Sequence, residues 1–426
     1  MKSRLPSFLR TLLIAPLLSA QLLAQAHWPD FRGPSQDGSA PAQLATQWSE
    51  TQNIAWKIPI HGRAWSTPAI ADKQIWLTTA TPDGKKLSGL CIDADSGKIS
   101  FDQVLFQVPK PQFAHAFNSY ASPSPVIDGP RVYLSFGSPG TACLDRKSHK
   151  VLWQRDDFVC DHFRGAGSSP FLYQHLLILT MDGADKQYLV ALDKLTGKTV
   201  WKTDRSTDFA DLDPNTGKPK RDGDMRKCYS TPVIAKVNGK DQLICPGAKA
   251  AFAYEPLSGK EIWSIRYANH SSASRVVLSQ GLAFINTGYA KAEIHAVELG
   301  GKGDVTDTHV RWRLRKGAPN KPSPVVKDGH LYTVTDGGVA SCIHAQSGEI
   351  RWQERIGGEY SASLILAGEN VYCFDQTGGG VIFKAQPSAF ALVSKTKLEG
   401  GFMASPAVLG QDLVLRTKTH LYRISK

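Results

Sequence analysis

Apolar residues along this chain fall in short β-type runs, not in helical stripes. Ile75–Thr79, Val132–Phe136, Leu176–Thr180, Leu331–Thr335 and Val371–Phe374 are rich in β-branched and aromatic types, with turn residues on either side. Runs of this kind read as strands separated by tight turns. A longer pattern follows them: a small residue, an apolar one, an acid, a turn with Gly, then a strand ending in Trp. Its fullest copy is Val190–Trp201 (VALDKLTGKTVW). Related copies end at Trp153, Trp263 and Trp352, and at Phe101, where Phe stands for Trp.

A second marker precedes each copy, namely Ser-x-Pro or Ser-Pro followed by apolar residues. It recurs at Ser66, Ser124, Ser169, Ser230, Ser323 and Ser405, and without its Pro at Ser274 and Ser363. Each of the eight units reads as four short strands. A strand-rich repeat of this period is an array of supersecondary units. Four-stranded sheets stacked radially cover every face except a rim, which is the propeller arrangement. The last unit stops after its third strand, near Leu421, while Asn53–Trp56 is an orphan fourth strand. The expected fold is therefore all-β. It is an eight-bladed β-propeller of four-stranded antiparallel blades, closed by an N-terminal strand carrying Trp56.

The pattern Ala191, Asp193, Gly197, Trp201 resembles the tryptophan-docking motif of quinoprotein propellers. It is also similar to the repeats in the propeller subunit of the bacterial outer-membrane β-barrel assembly machinery. The stretch Trp28-Pro29-Asp30-Phe31-Arg32-Gly33-Pro34 resembles the N-terminal signature of secreted bacterial PQQ-like repeat proteins. The resemblance covers residues 28–426. It implies the fold, and it implies a structural role for the motif: Asp and Gly form a turn and Trp packs between blades. It does not carry an activity, because such scaffolds host many.

Residues 1–26 read as a secretion signal. Lys2, Arg4 and Arg10 precede a mostly apolar run, and Ala24-Gln25-Ala26 is a small-x-small cleavage site. The run is short for a span and contains Pro16, so no transmembrane segment is expected after cleavage. Residues 27–52 read as an N-terminal extension lying across one face, ordered by Trp28 and Phe31, and residues 53–426 as the propeller. The product is expected in the periplasm or outside the cell, as a monomer.

The formal net charge is +12, with Lys and Arg dispersed. This favours anionic partners over cationic ones, and nothing resembles a nucleic-acid motif. Of seven cysteines, Cys91, Cys143 and Cys342 share the repeat slot of Ala191 and Ala253, so they read as small buried residues. Cys245 and Cys373 fall in second strands. Cys160 and Cys228 lie in loops of neighbouring blades, where pairing stays open. Asp211, Asp213 and Asn215 alternate as in a calcium loop, but Pro214 and the late Gly217 spoil the pattern.

The loops entering each Ser-x-Pro strand ring one mouth of the central channel. Their convergent polar and aromatic residues make the candidate ligand site: His115, Asn118, Tyr120, His162, Arg164, Arg226, Tyr229 and His270. No catalytic set is recognisable, and no cofactor or metal is expected. The leading reading is an exported scaffold or binding protein for a protein or polysaccharide ligand, with an anionic one favoured by the basic charge. Two alternatives are a dehydrogenase using pyrroloquinoline quinone and calcium, and a polysaccharide lyase or hydrolase working at the mouth. The resemblance implies for such dehydrogenases a disulfide between adjacent cysteines, and this chain has no adjacent pair.

Overall fold

The computed structural model describes residues 27–289 and 291–426. The expected signal and its cleavage site lie outside them. Eight antiparallel sheets follow one another along the chain. Blade 1 begins at Ala69–Ala71, blade 2 at Val126–Asp128, blade 3 at Phe171–Tyr173 and blade 4 at Val233–Val237. Blades 5 to 8 begin at Val277–Ser279, Val325–Lys327, Ile365–Ala367 and Ala407–Leu409. The expected eight-bladed all-β propeller is the observed fold. Among the described residues, no helix is long and apolar enough to cross a membrane.

The outermost strand of blade 8 comes from the N-terminal region. Ile54–Pro59 pairs antiparallel with His420–Ile424, with Trp56 opposite Arg423. In all eight blades, the pairing of the third strand with the outer one shifts register at the motif's Trp position or beside it. A bulge bends the outer strand and re-aims one side chain. In five blades the residue at the shift is a docking indole. Trp153 donates its N–H to the Lys194 carbonyl at 3.1 Å, and Trp201 donates to Pro256 at 3.1 Å. Each indole lies over the motif glycine of the next blade. A Cβ on Gly197 would stand 2.8 Å from the Trp153 ring, and one on Gly259 would stand 2.5 Å from Trp201. Both glycines also have positive φ, so the motif needs Gly twice over.

The Ser-x-Pro marker also has a physical cause. Its hydroxyl accepts a backbone N–H from the preceding blade. Thr67 N donates to Ser124 Oγ at 2.9 Å, Ser124 N to Ser169 Oγ at 2.9 Å, and Ser169 N to Thr231 Oγ1 at 3.0 Å. Arg275 N donates to Ser323 Oγ, Ser323 N to Ser363 Oγ, and Ser363 N to Ser405 Oγ, at 2.9, 3.0 and 2.9 Å. Ser230 Oγ donates to the Ser274 carbonyl at 2.8 Å, and Arg416 Nη1 closes the ring onto Ser66 Oγ at 2.6 Å. A buried N–H left without an acceptor is costly. Unit seven can therefore lose the Pro yet keep Ser363, whereas in unit five the ring bond falls on the Ser274 carbonyl.

Residues 28–40 enter the channel itself; they do not lie across a face. Trp28 exchanges both backbone hydrogen bonds with Ile70 of blade 1, and the Pro29 carbonyl accepts from Ile127 of blade 2. Across the channel, Arg275 of blade 5 reaches Asp30 and the Phe31 carbonyl. Arg32 donates to the carbonyls of Pro324 and Leu364, each at 2.5 Å. Ser39–Ala40 then runs parallel to Leu366–Ala367 of blade 7. One short segment thus ties blades 1, 2, 5, 6 and 7 across the axis. Phe31 is only half-buried, and Trp28 carries the docking.

All seven cysteines are free and buried. Cys91, Cys143 and Cys342 are fully buried, as their repeat slot requires. Cys160 and Cys228, whose pairing the sequence left open, are separate thiols. Burial pushes each of them up to about 12.

Candidate binding site at the channel mouth

The mouth opposite the plug is roofed. The blade 1 to blade 2 connection, residues 108–122, folds over it and is pinned on three sides. The Asn118 side-chain amide donates to the carbonyls of Arg164, Gly165 and Ala166 at 3.0, 3.1 and 3.1 Å. Gln112 donates to the Cys160 carbonyl at 2.9 Å, and Trp65 Nε1 donates to Phe117 O at 3.1 Å. On the far side, the Lys321 ammonium sits 4.7 Å from the Phe117 ring centre. Lys321 belongs to the loop entering blade 6, so the roof spans the opening.

The eight candidate residues divide by environment. Asn118 is a clamp for the roof. Tyr120 packs on the blade 1 hairpin, where a Cβ on Gly84 would stand 2.6 Å from its ring. His115 accepts the Phe117 N–H at 3.1 Å and lies edge-on to Phe113. His162 is 6% exposed, its Nε2 accepts from Ser138 N at 2.9 Å, and burial pushes its imidazole down to about 4. It is therefore a neutral interior histidine. Tyr229 leans on Gly167, and burial raises its phenol far above the ordinary range. Arg226 forks onto Asp211 at 3.1 and 3.2 Å, within its own loop.

Arg164 and His270 remain at the rim, with neighbours that sequence reasoning did not single out as a set. Arg164 lies 3.4 Å from Asp224, whose carboxylate also touches the buried Lys227 ammonium. Burial and then Arg164 push Lys227 down to about 7 against the opposing charge of Asp161, and its ammonium also touches Asp224. His270 is driven down to about 4 by burial, then by Lys227, Lys249, Arg164 and Arg221. Burial does most of this, and the surrounding cations add a positive field at the rim. Beside it stand exposed aromatics: Phe113, Phe117 and Tyr289. Tyr289 follows the second strand of blade 5, outside the ring of residues just before each marker, so the repeat gave no signal for it; Phe117 lies within that ring, between His115 and Asn118.

Below the rim is a cavity of about 10 Å³, lined by His162, Ser168, Thr180, Asp182 and Cys228. That is the size of one water. Among the described residues, no three His, Cys, Asp or Glu side chains converge as for a metal. Asp213 caps its own turn, accepting from Asn215 N and Thr216 N at 2.9 and 2.8 Å. With Asp211 held by Arg226, the 203–229 loop offers no calcium cage.

A family model described as outer membrane protein assembly factor BamB matches residues 112–297 and 250–388, together well over half of the chain. The chain belongs to this family. It is 25% identical to the outer membrane protein assembly factor BamB of Yersinia pestis over 181 residues, 41% of this chain and 40% of that protein. It thus spans about two fifths of that relative's length. Two solved structures share the fold. BamB from Moraxella catarrhalis superposes with a TM-score of 0.59 at 11% identity, covering 87% of this chain and 99% of that one. The quinohemoprotein alcohol dehydrogenase from Comamonas testosteroni gives 0.67 at 11% identity, covering 96% and 82%. At these identities the likeness is one of architecture.

Proposed function

We propose that this chain is an exported, non-catalytic, monomeric binding propeller, freed from its leader after Ala26. Its roofed mouth recognises an acidic segment of another protein. The observation that carries the reading is the cationic rim, where Arg164, Arg221 and Lys249 surround a neutral His270. Exposed Phe113, Phe117 and Tyr289 flank it. Cations beside rigid aromatic side chains suit a chain that presents carboxylates and apolar groups together.

The catalytic alternatives find less support. A lyase base must meet its substrate, yet His162 is buried and bonded to Ser138 N. Calcium needs six to eight oxygens, and carboxylates near the mouth already answer cations: Asp224 to Lys227, Asp211 to Arg226, Asp336 to Lys321. These residues do not fit a quinone–calcium centre.

The test is titration of an oligoglutamate peptide carrying one central Trp, followed by fluorescence anisotropy. Arg164→Ala with Lys249→Ala should weaken binding by about ten-fold or more and flatten its salt dependence. Equal affinity in the double variant, or no binding by the parent chain, overturns the reading.

A further inference from the structure

The tryptophan dock is made at five of the eight blade junctions. Trp56, Trp153, Trp201, Trp312 and Trp352 each donate to a carbonyl of the next blade. At the other three junctions no such bond is found among the described residues, and two of these are filled by the chain itself. Between blades 4 and 5, Gly303–Asp304 adds as a parallel strand beside Trp263 and Ser264. There the Trp263 indole turns back to Gln242 of its own blade. Between blades 7 and 8 the motif position is Ser394, whose hydroxyl donates to the Thr46 carbonyl. Trp48 of that same segment is buried and stacks on Phe374 at 6.1 Å.

The third junction lies between blades 1 and 2. The motif Trp is Phe101 here, and the motif Gly is His149. The two rings meet at 4.9 Å. His149 holds φ at +59°, where its counterparts are Gly97, Gly197, Gly259 and Gly348. Its Nε2 is buried and has no hydrogen-bond partner. A non-glycine residue in this region costs about 1 kcal/mol or more and calls for a compensating role. A groove of about 590 Å³ opens here, lined by Ser100–Gln103 of blade 1 and Ser148–Val151 of blade 2. Phe101 and Asp102 stand where Trp263 and Ser264 stand in blade 4, which are the residues that take the added strand.

We propose that this groove is a docking slot for an extended peptide of a partner protein, added as a strand along the outer edge of blade 1. The two homologous slots supply the precedent for the occupant: one takes a paired backbone, the other an inserted aromatic. The receiving strand, Ile99–Gln107, has nine residues, the longest among those described. Gln154 caps its Leu105 carbonyl at 3.0 Å, so the bare stretch is the one that lines the groove. Ile99, Val104, Val151 and Leu152 are exposed around it. A bare edge with apolar neighbours is a template for pairing. The peptide lays an aromatic side chain over the exposed Val151 and Leu152, beside the Phe101–His149 pair. This site is separate from the mouth and stands whether or not the mouth binds an acidic segment.

The test uses a displayed library of random octapeptides selected on the full chain, with Phe101→Trp/His149→Gly as counter-target. That double change restores the dock and closes the groove. It also relieves the strained φ, so its melting temperature should equal or exceed the parent's. Selected peptides should be extended and aromatic, bind the double variant at least about ten-fold more weakly, and slow amide exchange across residues 99–107. Arg164→Ala should leave their binding unchanged. A selection that yields no peptide distinguishing the two proteins overturns the proposal, as does protection elsewhere on the chain.

Discussion

The indole of Trp56 donates to the carbonyl oxygen of Ala94 at 3.0 Å, although its own strand belongs to the last blade. This one side chain does at the seam what its repeat counterparts do inside the ring. A Cβ on Gly97 would stand 3.0 Å from the Trp56 ring, so the dock onto blade 1 is only slightly looser than the internal ones. Arg423, opposite Trp56, donates to the same carbonyl at 2.8 Å. The ring is thus closed by hydrogen bonding and packing at one point. Trp56→Ala should cost about 2 kcal/mol or more. Removing residues 27–58 should cost far more, since it bares the edge of the last blade. Thermal unfolding measures both, and a truncated chain with an unchanged melting temperature would disprove the seam.

The plug offers a second check. Gly33 has φ +78°, and a Cβ there would lie 2.7 Å from the Trp28 ring. Gly33→Ala should therefore lift Trp28 off Ile70 without touching any blade. The amides of Ile70 and Ile127, which donate to Trp28 and Pro29, should then exchange faster. The other backbone amides of blades 1 and 2 should keep their protection, so a uniform loss would mean that the blade sheets themselves had loosened.

Much of this fold was legible in the sequence, for a physical reason. Each blade solves the same burial problem, so Trp201 and Gly197 recur wherever a blade must dock on its neighbour. Ser66 and its counterparts recur because each ring hydrogen bond needs a hydroxyl. The course of residues 28–40 was not legible. It depends on Arg275, an isolated cation in a degenerate unit that meets Asp30, 245 residues away. At the mouth, sequence placed His162 and Arg226 in the right loops. It could not show that one is buried or that the other is spent on Asp211. Burial of a loop residue depends on what folds over it, and the roof has no repeat to announce it.

Asp182 and Arg205 form an interior ion pair at 2.7 Å through both guanidinium arms. Both are nearly inaccessible. Arg205 also donates to the Pro246 carbonyl at 3.1 Å, so it joins blade 3 to blade 4. Burial pushes the Asp182 carboxyl up, and Arg205 opposes this. Removing one partner strands the other charge, so Asp182→Ala should cost about 3–5 kcal/mol. Replacing both with apolar residues of matching volume should cost much less. Urea unfolding of the two variants decides, and similar losses in both would show that the pair is not coupled.

The buried His162 sets a pH dependence of stability whose sign can be worked out. Its imidazole titrates at about 4 when folded, against 6.5 for a free histidine, because burial disfavours the charged form. Between these values the unfolded chain binds a proton that the folded chain does not. Stability from this group is therefore full above 6.5 and is lost as pH falls toward 4. A gap of this size corresponds to about 3 kcal/mol at the acid end. Carboxylates held low by partners, such as Asp211 beside Arg226, lose their contribution at still lower pH. The two effects therefore separate on the pH axis. His162→Gln can keep a side-chain acceptor for the Ser138 N–H and removes the titration. It should be somewhat less stable than the parent at pH 7, yet lose less stability between pH 7 and 4.5. Urea midpoints at a series of pH values measure this, and parallel curves for the two proteins would show that His162 is not held neutral by burial.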